Sequence, residues 1–170
     1  MKKIAAINII ATIFAKTFLK KLLIKFIFCN MSQHTVTLLL GSNLGNPEAN
    51  LQIAQKLISS EIGEILTKSK ILHSEAVEFV SNYNFCNIAL VLKTQFSPVK
   101  LLNLIKKIEL EMGRTADSAV TKGYTDRIID IDIVLFNDLK FESKRLQIPH
   151  LKHLYQREFS RTLLESIKTH

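Results

Sequence analysis

The chain reads as an α/β fold, a mainly antiparallel sheet with helices packed on it. Three observations predict this. Residues 128–136 form a β-branched, apolar run too hydrophobic for a surface. Two helices announce themselves, one by Asn46, which can cap, with Pro47 at its first position, and one starting at Ser97-Pro98. Residues 85–92 alternate, with Phe85, Asn87, Ala89 and Val91 on one face.

In chain order, residues 35–40 predict a first strand that ends in the turn at Gly41. The helix after Asn46 runs to about residue 60, a second strand is expected over about 65–72, and 75–84 is a loop. Strand 85–92 comes third. The helix after Ser97 ends at Gly113 and buries Leu102, Ile105, Ile108 and Met112 at three- and four-residue spacing. Residues 115–126 are polar, contain Gly123, and are expected to move as a lid over a bound substrate. The strand at 128–136 follows, then a turn at Asn137-Asp138, a short hairpin at 140–148 and a closing helix over 153–168. The order β-α-β-β-α-β is that of the ferredoxin-like sandwich.

Composition bounds the function. One domain of this length buries a real core. The net charge of +8 invites a nucleic-acid reading, but residues 1–30 hold six lysines and no acid. The remainder has 17 basic against 15 acidic residues, which is no footprint for DNA or RNA. Cys29 and Cys86 are expected to make neither a disulfide framework nor a zinc site, and a reducing cytoplasm is the default compartment. The chain divides into a basic, apolar extension over 1–30 and a catalytic domain over 31–170. The apolar run at 4–15 is too short to span a bilayer, and lysines interrupt its continuation. Three readings of the extension stay open: a start at Met31 with 1–30 as an upstream artefact, a helix on a membrane surface, and a targeting segment.

The strand at 128–136 carries the chemistry. Asp130 and Asp132 lie two apart and point to one face, while Ile129, Ile131, Ile133 and Leu135 point to the other. Two carboxylates on a mostly buried strand repel each other and lose hydration. A hard divalent cation is the usual compensation. Arg127 adds a guanidinium at the mouth of the strand, so the outline is that of a phosphoryl-transfer site. The bland alternative is a solvated Asp pair at a frayed strand end.

Further segments narrow the choice. Gly41-Ser42-Asn43-Leu44-Gly45-Asn46 follows a strand, and Phe85-Cys86-Asn87 opens another. Glu109 to Arg114 reads E-L-E-M-G-R, Arg127 to Asp132 reads R-I-I-D-I-D, Leu146 to His150 reads L-Q-I-P-H, and Arg157-Glu158-Phe159 comes last. In that order the chain resembles 6-hydroxymethyl-7,8-dihydropterin pyrophosphokinase, an enzyme of folate biosynthesis, from about residue 35 to about residue 166.

The resemblance implies transfer of pyrophosphate from ATP to the pterin hydroxymethyl group, with release of AMP. It implies two Mg²⁺ ions on Asp130 and Asp132, with Arg127 as a third catalytic residue. It implies an ATP site of Glu109, Arg114, Lys122, Arg127, Ile133, Arg145, His150 and Arg157, in which Glu109 lies by the adenine. It also implies a pterin site of Ser74, Val77, Phe85, Asn87, Tyr124 and Phe159. A flat ring with polar edges needs stacking surfaces and an amide. Phe159 would be the second plate of an aromatic sandwich, Phe85 a nearby wall, and Asn87 the amide. Small-molecule substrates, no nucleic acid, no stable membrane span and a monomer complete the expectation.

The chain departs from the family pattern at several points. Asp126 stands where members carry proline, Tyr124 where many carry tryptophan, and Ser74-Glu75 where a Thr-Pro pair is usual. The stretch between Arg114 and Arg127 is long and lacks a second arginine, which Lys122 replaces imperfectly. The chain stops at His170, earlier than the family's closing segment. Two rival readings therefore stay open, a paralogue that binds nucleotide with weakened turnover and a ferredoxin-like nucleotide- or RNA-binding module. The RNA reading suits poorly a strand whose acids would repel a phosphate backbone.

Overall fold

The structure, a computed structural model, describes residues 33–77, 81, 83–114 and 126–168. The extension at 1–30, most of the expected lid, Lys122 and Tyr124 lie outside the described residues.

Strand β1 spans His34–Ser42 and helix α1 spans Pro47–Glu61. The Asn46 side chain accepts the Ala49 N–H at 3.1 Å, and Pro47 follows it in the first turn. The expected second strand is two strands, β2 at Gly63–Lys68 and β3 at Leu72–Ser74. Ser69 explains the break. Its hydroxyl accepts the Ala89 N–H at 3.0 Å, the bond a continuing strand would have made with its backbone. Strand β4 spans Phe85–Thr94, and helix α2 spans Pro98–Glu111 and closes on Gly113 at φ +97°. Strand β5 spans Asp130–Phe136, and β6 (Phe141–Glu142) pairs with β7 (Gln147–Ile148).

The main sheet runs β2-β4-β1-β5, every neighbour antiparallel, with β3 on the end of β4. That is the strand order of the ferredoxin-like sandwich. Alternation divides the core in two. Leu38, Leu40, Ile88, Leu90, Ile131 and Ile133 meet Leu51 and Ile58 of α1 and Leu101 and Ile105 of α2. Leu39, Ala89 and Val134 face the other way.

Two further expectations need correction. Leu135 does not share a face with Ile129, Ile131 and Ile133, because β5 slips by one residue. Thr37 pairs with Leu135 but Leu38 with Ile133, so Val134 is the extra residue of a bulge. The closing helix is also broken. A wide π-type turn over Lys152–Gln156 ends at Arg157, whose backbone is extended at φ −99° and ψ 111°. Helix α3 then runs Glu158–Ser166, and Leu163, Leu164 and Ile167 cover the second sheet face. No glycine or proline marks this break. No described helix is long and apolar enough to cross a membrane.

Candidate active site

The turn after β1 organises the site. Asn43, buried, accepts the Arg127 N–H on Oδ1 at 2.8 Å, and its own N–H reaches the Arg127 carbonyl at 3.1 Å. Its Nδ2 donates to Asp126 at 2.6 Å, and Asp126 accepts from Ser81 at 2.6 Å as well. Asp126, standing where the family carries proline, thus ties three loops together and sets the entry of β5. Gly41 faces the same place. A Cβ there would lie 3.0 Å from Asn87 Oδ1 and 3.6 Å from Phe85.

Asp130 and Asp132 share a face, as alternation requires. Arg114 and Arg127 both grip Asp130, Arg127 at 2.6 Å. Asp130 therefore finds its compensation in the protein's own guanidinium groups, a task the sequence argument gave to a metal. Arg114 also donates to Glu109 at 2.8 Å and to the Ile129 carbonyl at 3.3 Å. Glu109 is buried and is not among the residues lining the two cavities at this site. It is 2% exposed, accepts the Ile131 N–H at 2.8 Å and pairs with Lys106 at 2.9 Å. Burial pushes its pKa up and the Asp130 charge adds to this, against the opposing pull of Arg114 and Lys106. Its hydrogen bonds to Ile131 and Arg114 pin α2 to β5.

Asp132 is held differently. Its Oδ2 lies 2.9 Å from Nε2 of His153, whose Nδ1 lies 2.8 Å from Ser160 Oγ. Burial by itself would raise the Asp132 pKa. The His153 hydrogen bond and the charges of His153, His150 and Arg157 outweigh it and hold the carboxyl well below the usual carboxylate range. Its side chain remains 32% exposed.

Two cavities meet at Asp132. One encloses about 480 Å³ of space open to solvent, and its wall includes Ser74, Val77, Phe85, Asn87 and Phe159, followed by Arg127, Asp130 and Arg157. These are the five described residues expected to hold a pterin. Asn87 Nδ2 donates to Ser74 Oγ at 2.9 Å, and the Arg127 guanidinium sits 5.7 Å from the Phe85 ring centre. The second cavity encloses about 700 Å³, also open, and its wall includes Ile133, Arg145 and His150. Of the expected ATP residues these three line it, Arg127 and Arg157 line the first cavity, and Arg114 is drawn inward to Glu109 and Asp130. Burial lowers the His150 pKa despite the pull of Asp132, and Nδ1 of His150 meets no hydrogen-bond partner among the described residues.

His153 and Lys106 escaped the sequence reading. Lys106 lines the second cavity three residues before Glu109, a helical spacing that could have found it. Nothing in the sequence singles out His153, since a lone histidine in a helical pattern is usually a core or surface residue.

A slot with aromatic and amide walls, opening onto acids and guanidinium groups beside a second basic cavity, suits an enzyme that brings a ring-bearing alcohol to a polyphosphate. The class is that of phosphoryl-transfer enzymes. Residues 37–169 match the 7,8-dihydro-6-hydroxymethylpterin-pyrophosphokinase (HPPK) family, and the chain belongs to it. It is 36% identical over 133 residues to the 2-amino-4-hydroxy-6-hydroxymethyldihydropteridine pyrophosphokinase of Porphyromonas gingivalis, covering 78% of this chain and 89% of that protein. The Aquifex aeolicus protein of the same name is 39% identical over 126 residues, covering 74% of each. The wild-type HPPK-DHPS of Plasmodium falciparum, solved with STZ-DHP, superposes with a TM-score of 0.54 at 18% identity, over 81% of this chain and 38% of that one. The chain thus spans under half the length of that solved protein, and the likeness is one of fold.

Proposed function

We propose that the two cavities divide the substrates of the family reaction, pterin in the first and ATP in the second, with Asp132 at their junction. The chain is an ATP-dependent pyrophosphokinase of folate biosynthesis. It transfers pyrophosphate from ATP to the hydroxymethyl group of 6-hydroxymethyl-7,8-dihydropterin and releases AMP. The observation that supports the division is that Asp132 alone among the residues named for catalysis borders both cavities.

Two carboxylates on one strand face, one a third exposed, are a hard oxygen donor set that fits Mg²⁺. Asp130 and Asp132 would hold the ions, and bound Mg²⁺ would neutralise phosphate charge and orient the phosphates. The chain's own residues do the rest. Phe85 and Phe159 offer faces to a flat ring, and Asn87 offers an amide to its edge. Arg127 and Arg157 line the same cavity as these side chains and the two carboxylates, and would stabilise charge on the transferred group. Arg145, Lys106 and His150 supply donors to the phosphates beyond it. No strong general base is needed, because a loose phosphoryl transition state depends on positioning and charge neutralisation.

The near-neutral charge of the domain favours small molecules over nucleic acid as its partners, and a monomer in the cytoplasm is the simplest setting for this reaction. The test is AMP release from ATP in the presence of Mg²⁺ and the hydroxymethyl dihydropterin. Turnover that requires all three supports the reading, and ATP binding without AMP release would favour the weakened paralogue.

A further inference from the structure

A second group of ligating side chains lies on the other face of the sheet. Cys86 in β4 and His73 in β3 are paired across the strands, and Glu48 sits in the first turn of α1. Cys86 Sγ lies 3.4 Å from His73 Nδ1, and His73 Nε2 lies 3.6 Å from Glu48 Oε1. One ligand atom from each residue falls within 4.8 Å of the other two. Cys86 packs with the α1 and α2 core, whereas Phe85 and Asn87 on either side of it line the pterin-side cavity. The reaction described above uses none of the three.

We propose that Glu48, His73 and Cys86 form a site for one divalent transition-metal ion, zinc above all, distinct from the cation position at Asp130 and Asp132. The donors are a thiol, an imidazole and a carboxylate, a set that suits Zn²⁺ and does not suit Mg²⁺. The spacing fits. Sulfur and nitrogen bound to one tetrahedral zinc stand about 3.5 Å apart, given bonds of about 2.3 and 2.0 Å. The site has a closed side and an open side. Cys86 is 4% exposed, while the side chains of His73 and Glu48 are 62% and 56% exposed, so an ion can enter and a water can complete the tetrahedron. A nucleophilic Cys-His-Glu reading is weaker. Burial, then the Glu48 charge, push the Cys86 thiol up, away from the thiolate a nucleophile needs. A metal supplies what that thiol lacks. The sulfur forms its bond to the ion, the S–H proton leaves to solvent, and no electron changes hands.

The three ligands come from three elements. Strand β3 is three residues long at the sheet edge, and its last residue is Ser74, which accepts from Asn87. A bound ion would fasten β3 to β4 and α1 and so steady Ser74 from the opposite face of the sheet.

Cobalt titration of the full chain tests this, because a cysteine thiolate on Co²⁺ gives a charge-transfer absorption that oxygen and nitrogen ligands do not. One equivalent of Co²⁺ should produce that band, and Zn²⁺ should displace it. The band should persist in Cys29→Ser and in Asp132→Asn and vanish in Cys86→Ser. Should Cys86→Ser fail to fold, His73→Gln changes an exposed side chain and should weaken Co²⁺ binding about tenfold or more. Zn²⁺ should also raise the melting temperature of the wild type and not that of His73→Gln. A wild type without the thiolate band, a band that survives in Cys86→Ser, or unchanged Co²⁺ affinity in His73→Gln overturns the proposal.

Discussion

Nε2 of His153 lies 2.9 Å from Oδ2 of Asp132, on an imidazole that is 1% exposed. The ring is fixed from behind by Ser160, so it holds the carboxylate in one rotamer. Replacing His153 with Ala should raise the Mg²⁺ concentration for half-maximal AMP release by about 10–100-fold. His153→Gln, which keeps a donor at nearly the same place, should recover part of the loss. A Mg²⁺ titration identical to wild type in His153→Ala would show that the contact is packing alone.

The two carboxylates should fail differently. Asp130→Asn and Asp132→Asn should each lower turnover by at least about 10². Asp130→Asn also weakens the compensation of Arg114 and Arg127, so it should lose about 1–3 kcal/mol of stability where Asp132→Asn loses less. Thermal melts beside AMP-release rates separate the two effects, and equal melts for both variants would contradict the ion network drawn here.

Gly41→Ala is a probe of the pterin wall. Its Cβ would stand 3.0 Å from Asn87 Oδ1 and push the amide out of line. The KM for the pterin should rise about tenfold or more, at roughly the value of one lost hydrogen bond to a ring edge, with the KM for ATP little changed. Parallel changes in both KM values would mean that the two substrates are not divided as proposed.

His150 sets a pH dependence. Its pKa is depressed in the fold by burial, so the unfolded chain binds the proton more readily. Stability therefore rises with pH across the imidazole range and falls as pH drops through the ordinary histidine value of about 6.5. Without nucleotide, the melting temperature should decline from pH 8 to 5, and His150→Asn should flatten part of that slope. Equal slopes in the two proteins would remove His150 from the account.

Local signals carried much of the architecture. Asn46 caps α1 ahead of Pro47, Pro98 opens α2 although Ser97 makes no side-chain cap bond, and Asp130 and Asp132 share a face because side chains alternate. What stayed hidden depends on tertiary partners. The break at Arg157 has no breaker residue; its turn buries His153 against Ser160, which lies seven positions on. The helical stripe of α2 does not show that Arg114 and the Ile131 N–H will come to meet Glu109. The split between β2 and β3 turns on one hydroxyl, at Ser69, replacing a backbone bond.

The extra residue at Val134 has a consequence for how this strand can vary. It gives β5 two separate phases. From Asp130 to Ile133 the phase decides that acids face the cavities and isoleucines face the helices; beyond Val134 a second phase serves only Leu135, Phe136 and the turn. Length changes on the far side can be absorbed without disturbing the acids. One residue gained or lost between Arg127 and Asp130 would turn both carboxylates into the helix-packed core and both neighbouring isoleucines out toward the substrates.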